Sequence, residues 1–363
     1  MVKVLQIIDS LHAGGAERLA VNYANELNKN QIDSHLCATR SEGPLLQSLD
    51  EKVGYIFLNR KSTLDIVAVL RLRSYISNHK INIIHAHASS YFISTLIKLL
   101  MPKLKIAWHD HYGNSEFLEK RPTRVLRLCS RQFSHIFSVN PKLESWAKNN
   151  LLCKNVRYIK NFPVLKITNT SLTELNGENG KRVLCLANLR EQKNHIRLLE
   201  AFKLIIEKHS EWTLHCVGKD FKDDYSELFF SKLNEYGLQG HVFFYNAKSD
   251  ILNILQQSTI GILVSKSEGL PLALLEYGLA GLPIVCTDVG SCGELIPNSS
   301  YGILIKNDDA SNIAAALNKL IEDKNYRTTS AKEFNLMVSK NYSKERVIKE
   351  VVRIYYKITN NKS

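Results

Sequence analysis

The stretch that decides the fold reads Ser-Glu-Gly-Leu-Pro-Leu-Ala-Leu-Leu-Glu and occupies residues 267–276. It follows a short apolar run at residues 260–264. An apolar run, then a glycine, then a proline that opens an apolar-periodic segment predicts strand, tight turn and helix, with Pro271 near the first helical position. The backbone N–H groups of residues 269–272 would then point out of a helix N-terminus, which attracts a phosphate or diphosphate.

Two glutamates eight positions apart bracket this turn. Glu268 would lie at the lip of the turn, and Glu276 at least one helical turn further along. An ionised carboxylate only accepts hydrogen bonds and binds paired hydroxyls strongly, so one glutamate could hold a sugar and the other a ribose. A solvated helix face is the commoner place for an arbitrary pair of glutamates. The Gly-Leu-Pro turn between them favours the binding role.

The turn is one of five motifs that follow one another along the chain. The other four are Gly14-Gly15-Ala16-Glu17, Trp108-His109-Asp110, Asn-Leu-Arg-Glu-Gln-Lys-Asn-His at residues 188–195, and Asp288-Val289-Gly290 with Glu294 beyond it. In this order and at these distances, the motifs resemble those of retaining glycosyltransferases of family 4, of the bacterial surface-polysaccharide type. The resemblance covers nearly the whole chain and implies the GT-B fold, two Rossmann-like parallel-sheet domains that face each other across a cleft.

The resemblance also implies roles for individual residues. It implies that the family's phosphate-binding lysine is Lys193, that Asn188 fills the position of the family's phosphate-binding arginine, and that Arg190 is a candidate substitute. His109 matches an active-site histidine that stabilises developing positive charge near the donor sugar. Catalysis is thus expected at His109, Glu268 and Lys193, and donor binding at Gly14, Gly15, Asn188, Arg190, Lys193, Gly269, Leu270, Pro271 and Glu276.

Composition and periodicity agree with a two-domain α/β protein. A chain of 363 residues is longer than one typical core, and 44% hydrophobic with 23% charged residues is ordinary for a globular protein. Short apolar runs alternate with amphipathic segments on both sides of a polar stretch at residues 161–181, which predicts parallel sheets and a linker. We expect an acceptor-side domain at residues 1–165, a nucleotide-sugar domain at 166–342, and a last helix, 343–363, that crosses back to the first domain, as the resemblance implies.

Several classes of protein are disfavoured. Seven cysteines without a Cys-x-x-Cys pair indicate reduced, buried thiols in a cytosolic protein. The first residues are too short an apolar run for a signal peptide, and no run is long enough to span a bilayer. Gly14-Gly15 lacks the Gly-x-Gly-x-x-Gly pattern of dinucleotide enzymes, although glycines there allow close approach of a ligand to the backbone.

Two histidine pairs, His85-x-His87 and His109-x-His111, stand at predicted strand ends. Four imidazoles could in principle form a metal site. Alternate residues of one strand share a face but need not converge with those of another strand, so structural roles are favoured for His85 and His87. The chain has no Asp-x-Asp triplet of the kind that holds a divalent metal in the other main glycosyltransferase fold. We expect no metal and no cofactor.

The net charge of +13 is concentrated in the first half, where residues 1–160 contain 23 Lys and Arg against 12 Asp and Glu. Such asymmetry indicates an anionic partner. Nucleic acid is disfavoured because no nucleic-acid-binding motif is present. Arg124, Arg127 and Arg131 recur at helical spacing among apolar residues, which suggests a helix on an anionic membrane, although a solvated basic face is equally consistent.

The leading hypothesis is a cytoplasmic enzyme, peripheral on the inner face of the membrane. It would move a sugar from a nucleoside-diphosphate sugar to a glycan or lipid-linked glycan in capsule, O-antigen or exopolysaccharide synthesis, with retention of configuration. Two alternatives stay open at this stage: a sugar-nucleotide 2-epimerase, and a non-catalytic sugar-nucleotide-binding subunit.

Overall fold

The computed structural model describes residues 2–12, 14–166, 172–306 and 308–360. The chain divides into two compact units. Unit 1 comprises residues 1–162 together with 344–363, and unit 2 comprises residues 163–343.

Unit 1 is a parallel α/β unit. Its elements are β1 (Lys3–Ser10), α1 (Gly15–Lys29), β2 (Asp33–Ser41), β3 (Gly54–Phe57), α2 (Ile66–His79), β4 (Ile83–His87), α3 (Tyr91–Leu100), β5 (Lys105–Asp110), α4 (Arg124–Ser130), β6 (His135–Ser138), α5 (Pro141–Asn150), β7 (Val156–Tyr158) and, from the end of the chain, α13 (Lys344–Asn360). The seven strands lie in the order β3-β2-β1-β4-β5-β6-β7. Each adjacent pair is parallel.

The strand residues of unit 1 alternate between two faces of the sheet. Leu5, Ile84 and Trp108 point to an apolar core that is shared with α2, α3, α4 and α5. The opposite face carries polar residues, and among them His85 meets Tyr355 of α13. The last helix is attached to this unit by an ion pair of 3.3 Å between Lys344 and Glu26.

Unit 2 is a second parallel α/β unit. Its elements are β8 (Arg182–Leu186), α6 (His195–Ile206), β9 (Thr213–Val217), α7 (Asp224–Glu235), β10 (Val242–Tyr245), α8 (Ile251–Gln256), β11 (Ile260–Leu263), α9 (Leu272–Leu279), β12 (Ile284–Thr287), α10 (Cys292–Leu295), β13 (Ile303–Ile305), α11 (Ala310–Glu322) and α12 (Lys324–Asn341). The strand order is β10-β9-β8-β11-β12-β13, and each adjacent pair is parallel. One continuous apolar core packs against both faces of this sheet.

The predicted fold class is confirmed, because both units are parallel sheets covered by helices. The predicted alternation is also present, since apolar runs form strands and amphipathic segments form helices on both sides of residues 161–181. Helices α5, α8, α10 and α12 were not predicted. The signal for α12 was present, since its buried Ala331, Phe334 and Val338 recur at helical spacing.

Local chemistry explains where many helices begin. An aspartate or asparagine side chain accepts a backbone N–H bond at the start of α2, α5, α7, α11 and α12; these caps are Asp65, Asn140, Asp223, Asp309 and Asp323. Such a cap satisfies an amide that has no partner inside the helix.

The structure can be compared with the predictions about the cysteines, membrane-spanning helices and the linker. All seven cysteines are free and buried, as predicted. Within the described ranges, no helix is both long and apolar enough to cross a membrane. The expected linker at residues 161–181 contains no helix or strand among its described residues, while residues 167–171 lie outside them.

Candidate active site

The candidate donor site of unit 2 lies where the order of its strands reverses. Strand β8 is followed in space by β9 on one side and by β11 on the other, so the loops after β8 and β11 diverge at the carboxyl edge. Ligands of open α/β sheets bind at such switch points. The loop after β8 carries residues 187–194, and the loop after β11 carries residues 264–271.

Lys193 and Glu268 meet at this point, although they are 75 residues apart in the chain. Lys193 Nζ lies 2.5 Å from Glu268 Oε1, and Ser265 Oγ donates to the same oxygen at 2.6 Å. The Glu268 side chain is 6% exposed and that of Lys193 is 22% exposed. A carboxylate and an ammonium are therefore held together at the edge of solvent, where the carboxylate can accept hydroxyls and the ammonium can neutralise a phosphate.

Neighbouring loops hold the Glu268 turn in place. Ser291 N donates to Gly269 O at 2.9 Å, and Thr287 Oγ1 donates to Ser265 O at 2.6 Å. Gly290 has a φ of +57°, and a Cβ there would lie 2.1 Å from Glu268 O. Only glycine fits both this backbone conformation and this contact. The Asp-Val-Gly motif therefore serves as a backbone support for the turn.

The helix after this turn, α9, begins at Leu272, one residue beyond Pro271. Leu270 and Pro271 are buried, and among the described residues no side chain caps the helix start. Glu276 lies within α9 and is 3% exposed. Its burial is unusual for a glutamate and argues against a solvated helix face.

Asn188 and Arg190, the two candidates for the role of the family's phosphate-binding arginine, both contact residues of another loop in unit 2. Asn188 Oδ1 accepts the backbone N–H of Lys219 at 2.8 Å. The exposed guanidinium of Arg190 lies 4.2 Å from the ring centre of Phe221, and Lys219 Nζ lies 5.1 Å from the same ring. Phosphate binding by Asn188 or Arg190 stays a prediction, and Lys219 is a neighbouring cation that the sequence analysis missed.

A second contact missed from the sequence orients the end of the Lys193 loop. Asn194 adopts a left-handed φ of +57°, and its Nδ2 donates to Asp308 Oδ2 at 2.8 Å. Asparagine is one of the few residues other than glycine that adopts this conformation readily. The turn that presents Lys193 is thus anchored from the loop after β13.

In unit 1 the strand order reverses between β1 and β4, and the glycine pair lies in the loop after β1. A Cβ on Gly15 would meet nothing within 4 Å, whereas on Gly14 it would lie 2.2 Å from the Glu17 side chain. The fold itself therefore does not require Gly15 to be glycine. Donor binding by Gly14 and Gly15 stays a prediction. The open space beside Gly15 is compatible with it.

The anionic side chain of Asp9 lies near the end of β1, at the same edge of unit 1. Asp9 accepts hydrogen bonds from Thr39 Oγ1 at 2.5 Å and from Ser89 Oγ at 2.6 Å. Its carboxylate also lies 3.3 Å from Nη2 of Arg60, whose side chain is 4% exposed. Burial lowers the pKa of Arg60, and the Asp9 charge opposes that shift.

Beneath this edge, the histidines of β4 and β5 form a buried polar layer. His85, His87 and His109 have no exposed surface. Burial lowers the pKa of each well below its usual value, and the neighbouring imidazoles lower it further. His109 Nε2 is a buried nitrogen without a hydrogen-bond partner in the part of the chain that is described. Its role in stabilising charge on the sugar stays a prediction.

These three histidines are close enough to be considered as metal ligands, since one ring nitrogen of each lies within 4.8 Å of the others. Their rings are nearly parallel, however, with interplanar angles of 6–26°. His85 and His109 lie edge to edge, and the hydrogen bond of 3.1 Å between His85 Nε2 and His109 Nδ1 occupies two nitrogens that would otherwise be available to a metal. Both nitrogens of His85 and of His87 are already hydrogen-bonded. The arrangement favours the structural role expected for His85 and His87.

The loop after β5 is anchored by a buried ion pair. Asp110 binds Arg121 through two hydrogen bonds of 2.7 and 2.8 Å, and both side chains are below 10% exposure. The Arg121 guanidinium also stacks 4.2 Å from the Trp146 ring and 4.3 Å from that of Tyr112. A bidentate pair between aromatic rings fixes geometry as well as charge.

Comparison with known proteins identifies the class. The family model described as glycosyl transferases group 1 matches residues 169–334, and the model described as glycosyltransferase family 4 matches residues 13–162. The chain belongs to the GT-B glycosyltransferases. The two family models together span both sets of strand-end loops described above.

Relatives match along most of their length. An Escherichia coli UDP-Gal:alpha-D-GlcNAc-diphosphoundecaprenol alpha-1,3-galactosyltransferase is 24% identical over 85% of each chain. The amylovoran biosynthesis glycosyltransferase AmsD of Erwinia amylovora is 24% identical over 91% of this chain and 93% of its own. The crystal structure of Anabaena HepE with UDP and glucose superposes with a TM-score of 0.82 at 15% identity, covering 98% of this glycosyltransferase and 100% of HepE. These comparisons support transfer of a sugar and give no support to the 2-epimerase alternative.

Proposed function

We propose that this glycosyltransferase moves a sugar from a nucleoside-diphosphate sugar to a lipid-linked glycan during assembly of a bacterial surface polysaccharide such as capsule, O-antigen or exopolysaccharide. The relatives support this proposal. Their names place them in O-antigen, amylovoran and capsular polysaccharide synthesis. Two of them act on sugars linked to diphosphoundecaprenol or diphospho-undecaprenol.

The observation that carries the proposal is the contact between Lys193 and Glu268 at the switch point of unit 2. In the proposed complex, Glu268 accepts hydrogen bonds from hydroxyls of the donor sugar. Lys193 and the start of α9 stabilise the negative charge that develops on the departing diphosphate. Glu276 accepts hydrogen bonds from the ribose, for which two vicinal hydroxyls offer a matched pair of donors.

We propose that transfer retains the anomeric configuration. The bond from the anomeric carbon to the diphosphate breaks, the bond to the acceptor oxygen forms on the same face, and the acceptor proton passes to the leaving phosphate. The names of the Escherichia coli and Campylobacter jejuni relatives describe alpha-1,3 linkages, which supports this outcome when the donor sugar is itself α-linked.

We also propose that the reaction needs no divalent metal. The sequence contains no Asp-x-Asp triplet of the kind that holds a divalent metal in the other main glycosyltransferase fold. Lys193 and the dipole of α9 supply positive potential to the leaving group instead.

The enzyme is further proposed to act in the cytoplasm, on the inner face of the membrane. In α4 the exposed surface combines basic and apolar side chains, because Val125 is 52% and Leu128 is 73% exposed beside Arg124 and Arg127. Arg131 follows directly and is also exposed. Exposed leucine and valine beside arginine are typical of a surface that inserts between anionic headgroups.

Helices α2 and α3 also carry exposed apolar side chains. They pack beside each other and α3 packs beside α4. Among their exposed apolar residues, Ile66 is 71%, Val67 is 69% and Leu99 is 60% exposed. A lipid-linked acceptor confined to a bilayer would meet an enzyme that is confined to the same surface.

Product analysis tests the proposed function. Purified protein is incubated with the acceptor GlcNAc-diphosphoundecaprenol and one donor at a time. The donors are UDP-galactose, UDP-glucose and UDP-N-acetylgalactosamine. Mass spectrometry is expected to show the acceptor lipid extended by one sugar with one of these donors, and NMR of the product is expected to show an α linkage. Release of an altered free sugar, or a β linkage, would contradict the proposal.

A further inference from the structure

A row of three side chains crosses unit 1 from its buried layer to its carboxyl edge. Gln6 lies on β1, His87 ends β4, and His111 follows β5. Gln6 Oε1 is 2.8 Å from His87 Nε2, and His87 Nδ1 is 3.0 Å from His111 Nε2. Gln6 and His87 have no exposed surface, whereas His111 is partly exposed.

The partners in this row determine which nitrogen of each ring carries hydrogen. Gln6 Oε1 can only accept, so His87 Nε2 carries the hydrogen and donates it. The other nitrogen of neutral His87, Nδ1, then accepts, and the donor to it is His111 Nε2–H. His111 Nδ1 is left as an unprotonated nitrogen that accepts a hydrogen bond.

A second, parallel row ends inside the protein. Tyr355 Oη lies 2.6 Å from His85 Nδ1, and His85 Nε2 lies 3.1 Å from His109 Nδ1. His109 is fully buried. This row therefore joins α13 to the sheet, and of the two rows only that of His111 reaches solvent.

We propose that His111 accepts a hydrogen bond from the acceptor hydroxyl, and that Gln6 and His87 are positioning residues that fix its tautomer. His111 is suited to this role because it stands at the carboxyl edge, where ligands of parallel sheets bind. The adjoining Asp110–Arg121 pair fixes its backbone. The inference rests on the proposed function, because an acceptor hydroxyl exists only if the chain transfers sugar to one.

The first experiment reads the tautomer directly and needs no substrate. The full chain is labelled with ¹⁵N-histidine, and long-range ¹H–¹⁵N correlation spectra distinguish protonated from unprotonated ring nitrogens. The His111→Gln variant identifies the His111 signals. Neutral His111 is expected to carry hydrogen on Nε2. Hydrogen on Nδ1 would overturn the inference, because the Gln6 amide would then be donating instead of accepting.

Variants of Gln6 test whether the row controls this tautomer. Gln6→Met removes the acceptor at nearly constant volume and is expected to give mixed tautomers of His111. Gln6→Glu retains an acceptor and is expected to preserve the wild-type pattern. Tyr355→Phe removes the hydroxyl that binds His85 and also contacts Gln6, but it leaves Gln6 Oε1 as the acceptor for His87, so the tautomer of His111 should be retained. An unchanged His111 signal in a folded Gln6→Met protein would overturn the positioning role.

Kinetics test the contact with the hydroxyl. His111→Ala is expected to raise KM for GlcNAc-diphosphoundecaprenol or lower kcat by roughly two- to tenfold, the range for one neutral hydrogen bond. His111→Gln should recover part of this loss through its amide oxygen. UDP affinity should be unchanged. Loss of UDP affinity with unaltered acceptor kinetics would assign His111 to the donor and overturn the proposal. Absence of any transfer by the wild type would instead refute the proposed function, while the tautomer measurement would stand.

Discussion

At the switch point of unit 2 the side chains brought together are ions, Lys193 and Glu268. The corresponding edge of unit 1 also carries ion pairs, Asp9–Arg60 and Asp110–Arg121, but the buried layer beneath it is uncharged, with Gln6, His87 and His109 held by hydrogen bonds and burial. The difference suggests a division of tasks. Fixed charges suit a diphosphate whose charge grows during the reaction, whereas a neutral network orients a hydroxyl without adding charge to the site.

The largest effect is expected from removing the cation of unit 2. Lys193→Ala should lower kcat by roughly 10²–10³-fold, the usual cost of losing one group that stabilises transition-state charge. Lys266→Ala is the matched control, because Lys266 lies in the neighbouring loop and its exposed side chain pairs with Glu191. Transfer rates of the two variants, with thermal unfolding to verify the fold, provide the measurement. Equal losses would mean that Lys193 has no special role.

Charge reversal on the basic surface of unit 1 should weaken membrane binding and leave donor binding unchanged. Reversing Arg124, Arg127 and Arg131 to glutamate should weaken binding to anionic vesicles by at least 100-fold, since each basic residue near such a surface contributes about 1 kcal/mol. Vesicle flotation at low salt gives the measurement. Raising the salt concentration should weaken the wild type in the same direction.

The control for this prediction is a second basic triple in the same unit. Arg346, Lys349 and Arg353 are exposed on α13 at helical spacing. Reversing them changes the net charge equally and should have a smaller effect if the α4 surface is the binding face. Comparable release of both triple variants would show that net charge alone attracts the membrane.

Removal of the buried Glu276 carboxylate in unit 2 should lower the affinity for the donor. Glu276→Ala should weaken UDP binding by roughly 10–100-fold, because hydrogen bonds to a charged group are worth about 1.5–3 kcal/mol. Isothermal titration with UDP measures this change. Glu227→Ala on the exposed face of α7 is the control. If a folded Glu276→Ala protein binds UDP normally, the ribose assignment is wrong.

The neutral histidines predict that unit 1 is the more acid-sensitive unit. Burial lowers the pKa of His85, His87 and His109 well below the usual value, and desolvation by the surrounding protein lowers the pKa of the partly exposed His111 to about 3. Between those values and about 6.5, the unfolded chain binds protons that the folded unit does not, so stability falls as pH falls. By pH 5, each histidine that stays neutral in the fold should cost about 2 kcal/mol.

Tryptophan fluorescence can isolate this effect. In a Trp212→Phe variant the remaining tryptophans, Trp108 and Trp146, both lie in unit 1. Their urea midpoint should fall from pH 7 to pH 5. A midpoint that is constant or rises over this range would contradict the neutral histidine layer.

The smallest expected effect is that of a chelator. Transfer should be unchanged by EDTA, because Lys193 and the start of α9 are proposed to supply the positive potential. Initial rates with and without EDTA provide the measurement, with magnesium and zinc added back separately. Loss of activity on chelation and its recovery with either metal would make His85, His87 and His109 the first candidate ligands.

The sequence by itself determined the alternation of strands and helices and the turn from Glu268 to Glu276. Periodicity and turn chemistry act within about ten residues, so they can be read without knowing the rest of the fold. The same local information indicated the loop that carries Lys193. It did not indicate that Arg190 stacks on Phe221 or that Asn188 accepts the Lys219 amide, since both partners belong to another loop.

Only the tertiary structure decided which of these local pieces touch. Lys193 meets Glu268 across 75 residues, Gln6 meets His87 across 81, and His85 meets Tyr355 across 270. These contacts follow from the order of strands in each sheet and from the side on which α13 packs. Strand order is set by crossovers and by burial of surfaces from distant segments, and neither leaves a periodic signal in the residues concerned. For the same reason the sequence placed both His109 and His111 at the end of one strand, while the fold buried His109 and left His111 at the edge.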